Sequence, residues 1–123
     1  MYRLCSILII AGLSSAAAAE TWSIKEGLCG DWVGEWNINQ NQSTVWLGTI
    51  NLRHQGSSCE SGTGEFVAGN VHVTIVGAQF TAQQSGMSNG YNCAYTGLVR
   101  GNQIVGTYVC PLTNSRFNFS INR

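Results

Sequence analysis

Charge is scarce in this sequence. Six Lys and Arg balance six Asp and Glu across 123 residues, and no basic stripe gathers the positive ones. Phosphate backbones are bound through such stripes, so nucleic acid is excluded as the expected partner. Residues that carry chemistry are equally sparse: one aspartate, Asp31, and two histidines, His54 and His72. No H-E-x-x-H, no G-x-S-x-G and no phosphate-cradling glycine loop occurs, and no ligand spacing suits a metal. His72 reads as an outward strand residue and His54 as a surface residue at a strand end beside a loop. Glu60 and Glu65 are close in sequence, but Glu65 alternates away from Phe66, so they do not form a paired-carboxylate site. These absences predict a protein that is not an enzyme and uses no cofactor and no metal.

The chain opens with Met1-Tyr2-Arg3, an apolar run from Leu4 to Leu13, then Ser14-Ser15 and four alanines. A positive start, about ten apolar residues and an A-x-A end make a secretory signal peptide. The run falls short of the roughly 20 residues that a spanning helix needs. The expectation is a signal peptide over residues 1–19, no membrane anchor after its cleavage, and a periplasmic or extracellular location. Its removal takes Cys5 and leaves Cys29, Cys59, Cys93 and Cys110. An even number of cysteines in an exported chain predicts two disulfides.

What is present is strand pattern. Tyr91 to Pro111 reads as one β-hairpin about Gly101-Asn102, since both residues tolerate the positive φ of a tight hairpin turn. That turn sets Gly97 opposite Gly106, Thr96 opposite Thr107, Tyr95 opposite Tyr108 and Cys93 opposite Cys110. The last pair suits a cross-strand disulfide. Upstream, residues 20–30 read as an N-terminal arm, or as one helical turn capped by Ser23 and Glu26. Period-two alternation then marks strands over 31–39 and about 43–53, with Gly34 opposite Gly48 and Trp36 across from Trp46. Further strands follow at 63–68 and 71–76 about a Gly69-Asn70 turn, then after Gly77-Ala78, then the hairpin, then 115–122.

Eight short strands joined by short turns predict an all-β fold, an antiparallel up-and-down meander. Closing it into a barrel over residues 31–123 removes both exposed edges; an open sandwich is the rival. In this topology Cys29 and Cys59 meet at one end of the barrel, and Cys93 and Cys110 meet at the other. Pairs 29–59 and 93–110 then avoid spanning its length.

Four strand-interior glycines, Gly34, Gly48, Gly97 and Gly106, share faces with Trp32, Trp36, Trp46, Tyr95 and Tyr108. Either the glycines allow the sheet to coil while the rings fill the core, or they clear a pocket floor between aromatic walls. Inward Tyr95, Gly97, Gly106 and Tyr108 would favour a ligand site; inward Leu98 and Val105 would favour a solid core.

Gly30-Asp31-Trp32 at the first strand resembles the G-x-W start of the calycin barrels, the lipocalins and avidins. Thr96-Gly97 and Gly106-Thr107-Tyr108 resemble strand patterns of the avidin-like members. The resemblance implies an eight-stranded meander that binds a small ligand. All four tryptophans lie between Trp22 and Trp46, so no biotin-site residue is carried over. The expected function is an exported, non-enzymatic binding barrel for a small apolar or aromatic ligand, walled by Trp32, Trp36, Trp46, Tyr95 and Tyr108. The alternative is an inhibitor or interaction module that meets a secreted protein partner through its loops or N-terminal arm. That arm mode is similar to that of small periplasmic barrels that inhibit secreted metalloproteases.

Overall fold

The alternation that starts at Trp22 continues into a strand. The computed structural model describes residues 19–123, so the expected signal peptide lies, apart from Ala19, outside the described residues. Among the described residues it contains eight antiparallel strands: β1 Ala19–Glu26, β2 Trp32–Gln42, β3 Val45–His54, β4 Phe66–Val76, β5 Gln79–Ser85, β6 Ala94–Arg100, β7 Gln103–Val109 and β8 Arg116–Asn122. Each pairs with its neighbour in sequence, and β1 pairs with both β2 and β8, closing an up-and-down barrel. The fold class is the expected one. Residues 20–26, however, are a barrel strand and not an arm. Trp22, Ile24 and Glu26 point inward and are buried, so period two outweighs the local capping signal of Ser23 and Glu26.

The count of eight survives because a second expectation fails in the opposite direction. Gly69-Asn70 is not a turn: Phe66–Val76 is one strand in which Val67, Val71 and Val73 face the core. Uninterrupted alternation leaves Phe66 outward and 72% exposed. Gly69 is small for a packing reason, since a Cβ there would lie 2.3 Å from the Met87 sulfur.

The hairpin β6–β7 pairs as expected along its length, from Arg100 opposite Gln103 to Ala94 opposite Val109. Its inward face carries Tyr95, Ile104 and Tyr108, while Leu98 is exposed on the outside. The β2–β3 register differs from expectation. Trp36 lies opposite Ile50, and Trp46 opposite Gln40. The strands run on to Gln42 and turn at Ser43-Thr44, with an irregularity between Gln40 and Gln42. The slip is even in residue number, so each side chain keeps its face. Gly34 and Gly106 hold close strand approaches, not a pocket floor. A Cβ at Gly106 would sit 2.0 Å from the Thr96 carbonyl oxygen, and one at Gly34 would sit 1.9 Å from that of Asn51.

Both expected disulfides, Cys29–Cys59 and Cys93–Cys110, are present. They stand at the same end of the barrel, not at opposite ends. Without a turn at Gly69-Asn70, the starts of β4, β6 and β8 fall beside the ends of β3, β5 and β7. Their pairing is therefore set by local neighbours and not by barrel length. With separations of 30 and 17 residues, loop-closure entropy gives each bridge about 3–4 kcal/mol.

The ends of the barrel differ. Tight reversals at Ser43-Thr44, Gly77-Ala78 and Gly101-Asn102 close one end. The longer connections, residues 27–31, 55–65, 86–93 and 110–115, gather at the other. Replacing Gly106 by Ala tests the close approach: urea denaturation should show a loss of about 1–3 kcal/mol. Unchanged stability would contradict the backbone contact.

Candidate functional site

The end that carries the long connections also carries the barrel's buried polar groups. Strand parity places Glu26 inside, directly after Trp22 and Ile24, and it is 5% exposed. Gln84 and Tyr95 enter the same region from β5 and β6. Their hydrogen bonds run one way. The Cys93 amide donates to Gln84 Oε1 (3.0 Å), Gln84 Nε2 donates to the Tyr95 hydroxyl oxygen (2.8 Å), and that hydroxyl donates to Glu26 Oε1 (2.5 Å). Each donor aims at the carboxyl, and chained donors of this kind polarise one another toward it. Tyr108 stacks on Tyr95 with ring centroids 5.0 Å apart, and its hydroxyl is near enough to Glu26 to favour the charged carboxyl.

Two influences compete on the carboxyl. Burial is the larger and raises the Glu26 pKa to about 7; the Tyr95 and Tyr108 hydroxyls lower it, and nearby Asp31 raises it a little. Burial first, then the Glu26 charge, pushes both the Tyr95 and Tyr108 hydroxyls up. Both phenols thus remain donors throughout the physiological range.

Over these groups lies a cavity of about 270 Å³, lined by Glu26, Gln84, Trp32, Tyr108, Phe117 and Met87 among others. That is near the lower end of ligand-site volumes. The Cys93–Cys110 bridge forms part of its wall. Of the expected ligand-binding residues, Trp32 and Tyr108 line it. Trp36 and Tyr95 lie deeper, packed edge to face at 5.2 Å in the filled part of the barrel. Trp46 stands toward the tight-turn end, 6.5 Å from Trp22, and takes no part. The barrel is accordingly solid through its middle and hollow at one end.

Glu26, Gln84 and Met87 were not expected at a site. The signal for Glu26 was its place in the Trp22, Ile24, Glu26 alternation. Gln84 continues Phe80 and Ala82 in the same way. For Met87 the loop sequence holds no comparable signal.

A second polar cluster braces the adjoining loops. His54, expected at the surface, is 4% exposed at the end of β3. The Thr63 amide donates to its Nδ1 (3.0 Å), so the ring proton resides on Nε2, which donates to Asp31 Oδ2 (2.8 Å). Glu60 approaches the same nitrogen at 3.5 Å. Asp31, His54 and Glu60 have ligand atoms within 4.8 Å of one another. The nitrogen facing both carboxylates is the protonated one, however, and a cation needs its lone pair. The cluster is built as a clasp: the Asp31 carbonyl also accepts from the amides of Gln55 and Gly56, beside the Cys29–Cys59 bridge.

No protein-family model, no curated protein and no solved structure matches the chain.

Two outcomes follow from these environments. The folded pKa of Glu26 lies above its ordinary value, so the fold holds the proton that the unfolded chain releases. That contribution is complete below pH 4.5 and is lost as pH rises to about 7. Relative to Glu26→Gln, wild-type unfolding free energy should fall by about 3 kcal/mol over that window and then level off. Parallel profiles in denaturant titrations would contradict a buried carboxyl. Replacing His54 by Ala leaves the Asp31 carboxyl buried without its partner, its Oδ1 being unpaired already among the described residues. The expected cost in thermal unfolding of the oxidised protein is about 3 kcal/mol, and an unshifted melt would refute the clasp.

Proposed function

We propose that the protein is an exported, non-enzymatic binding barrel that takes a small apolar or aromatic ligand into the cavity at its loop-bearing end. The observation that carries this reading is the cavity itself: about 270 Å³, walled by aromatic rings, with a few convergent polar groups at Glu26, Gln84 and Tyr108. Apolar walls with a small number of placed polar groups are the usual composition of small-molecule sites. Rigid walls help, because groups already ordered by a closed sheet need little further ordering when a ligand arrives. Two disulfides suit an oxidising compartment, and no helix among the described residues is long and apolar enough to cross a membrane.

The resemblance to calycin barrels points the same way, but one fold hosts many functions. It is the cavity that supports binding. The inhibitor reading through an N-terminal arm has less support. Residues 20–26 are hydrogen-bonded strand, paired to β2 and β8, and would have to leave the barrel to enter a partner's cleft.

Intrinsic fluorescence against a panel of small benzene derivatives tests the proposal. Saturable quenching or a shift is expected from the wild type. It should disappear in Trp32→Phe and persist in Trp46→Phe, since only Trp32 lines the cavity. Failure of every compound to change the emission would overturn the proposal, as would a response that follows Trp46.

A further inference from the structure

The cavity wall carries charge of one sign. Glu26, buried, and Glu65, exposed, both line it, and no lysine, arginine or histidine does so among the described residues. Trp32, Tyr91, Tyr108 and Phe117 supply the rings. Ring faces carry the negative part of the aromatic quadrupole and attract cations, more strongly where water is excluded. An anion would meet two carboxylates and four rings with no cation to receive it. A neutral apolar ligand would cover Glu26 and gain nothing from it.

Hydrogen-bond direction favours the same sign of ligand. The relay from the Cys93 amide through Gln84 and Tyr95 ends on one oxygen of Glu26, and every donor points toward that carboxyl. Such an arrangement stabilises negative charge at its end. Burial alone favours the neutral carboxyl, whereas these donors favour the charged form that a counter-ion needs.

We propose that the loop-end cavity binds a small organic cation, an ammonium group on an apolar or aromatic body, with Glu26 as its counter-ion and the surrounding rings as its walls. This rests on the binding reading above and narrows it to one chemical class. The groups facing Glu26 are Tyr95 from β6, Tyr108 from β7 and Asp31 from the turn before β2, with Glu65 on the same wall. Both tyrosines remain protonated, so the pH dependence of binding belongs to Glu26. Where Glu26 holds its proton, an incoming ammonium must displace it. Binding therefore releases a proton and weakens as pH falls below about 7.

Three probes of equal body and different charge decide the matter: 2-phenylethylamine, 2-phenylethanol and phenylacetate, titrated calorimetrically into the wild type and Glu26→Gln. The amine should bind the wild type at least about tenfold more tightly than the alcohol, and phenylacetate more weakly than either. Between pH 7.5 and 5.5 the amine affinity should fall on the order of 20-fold, with proton release into the buffer, while the alcohol affinity stays level. Glu26→Gln should remove both the preference for the amine over the alcohol and its pH dependence. Should that variant not fold, as judged by near-ultraviolet circular dichroism, the wild-type ranking and pH profile decide alone. Equal binding of all three probes, or tightest binding of phenylacetate, would overturn the cation assignment and leave the cavity reading standing. Binding of none of them would overturn both.

Discussion

Closure of the sheet by β1 is the constraint on which the rest of the molecule depends. Seven strands without it would form an open sheet with two unpaired edges and an uncovered apolar face. With β1 in place, Ile24 lies between Gly34 of β2 and Ile121 of β8, and each of its neighbours in the strand finds partners. Closure also leaves Glu26 no choice of side. Once Trp22 and Ile24 pack inward, the pleat sends Glu26 inward as well. The strand that seals the core is thus the one that introduces a carboxyl into it, and the opposite wall answers with Tyr95, 69 residues away.

The same closure separates the two ends of the barrel. Two-residue reversals need little support, whereas long connections are the parts of a fold that open most readily. Here three independent devices hold them: the Cys29–Cys59 bridge, the Cys93–Cys110 bridge and the His54–Asp31 clasp, all at the loop-bearing end. Such bracing is what a preformed cavity requires, because a wall that must order itself on binding costs affinity. The Cys93 amide that begins the relay to Glu26 belongs to a bridged residue, so the covalent and hydrogen-bonded supports meet at the same place.

Legibility in the sequence followed the range of the forces involved. Nearest-neighbour pairing about a defined turn was readable in full, and β6–β7 pairs residue for residue as its Gly101-Asn102 turn dictates. Face parity was robust too: the β2–β3 register slipped by an even number, and Trp36 stayed inside. Local signals misled where a tertiary contact outweighed them. Gly69-Asn70 has the composition of a turn, yet the glycine is there, within one unbroken strand, to admit Met87 from the loop that follows β5. Ser23 and Glu26 have the spacing of a helix cap, yet the two free edges of β2 and β8 recruit those residues as a strand. The buried polar groups were the least legible. A single sequence cannot announce that Glu26 will meet Tyr95, or His54 meet Asp31, until the strands that carry them are in register.

Much of the molecule's design meets at Glu26, a buried carboxyl at the floor of the loop-end cavity. Carbon-13 nuclear magnetic resonance of the glutamate side-chain carboxyls, followed from pH 4 to pH 9 with and without saturating 2-phenylethylamine, tests this placement most directly. One carboxyl, absent from Glu26→Gln, should titrate near 7 in the free protein and well below it when the amine is bound. Ordinary titration of every glutamate between about 4 and 5 would contradict this placement, as would a Glu26 resonance that the amine leaves unmoved.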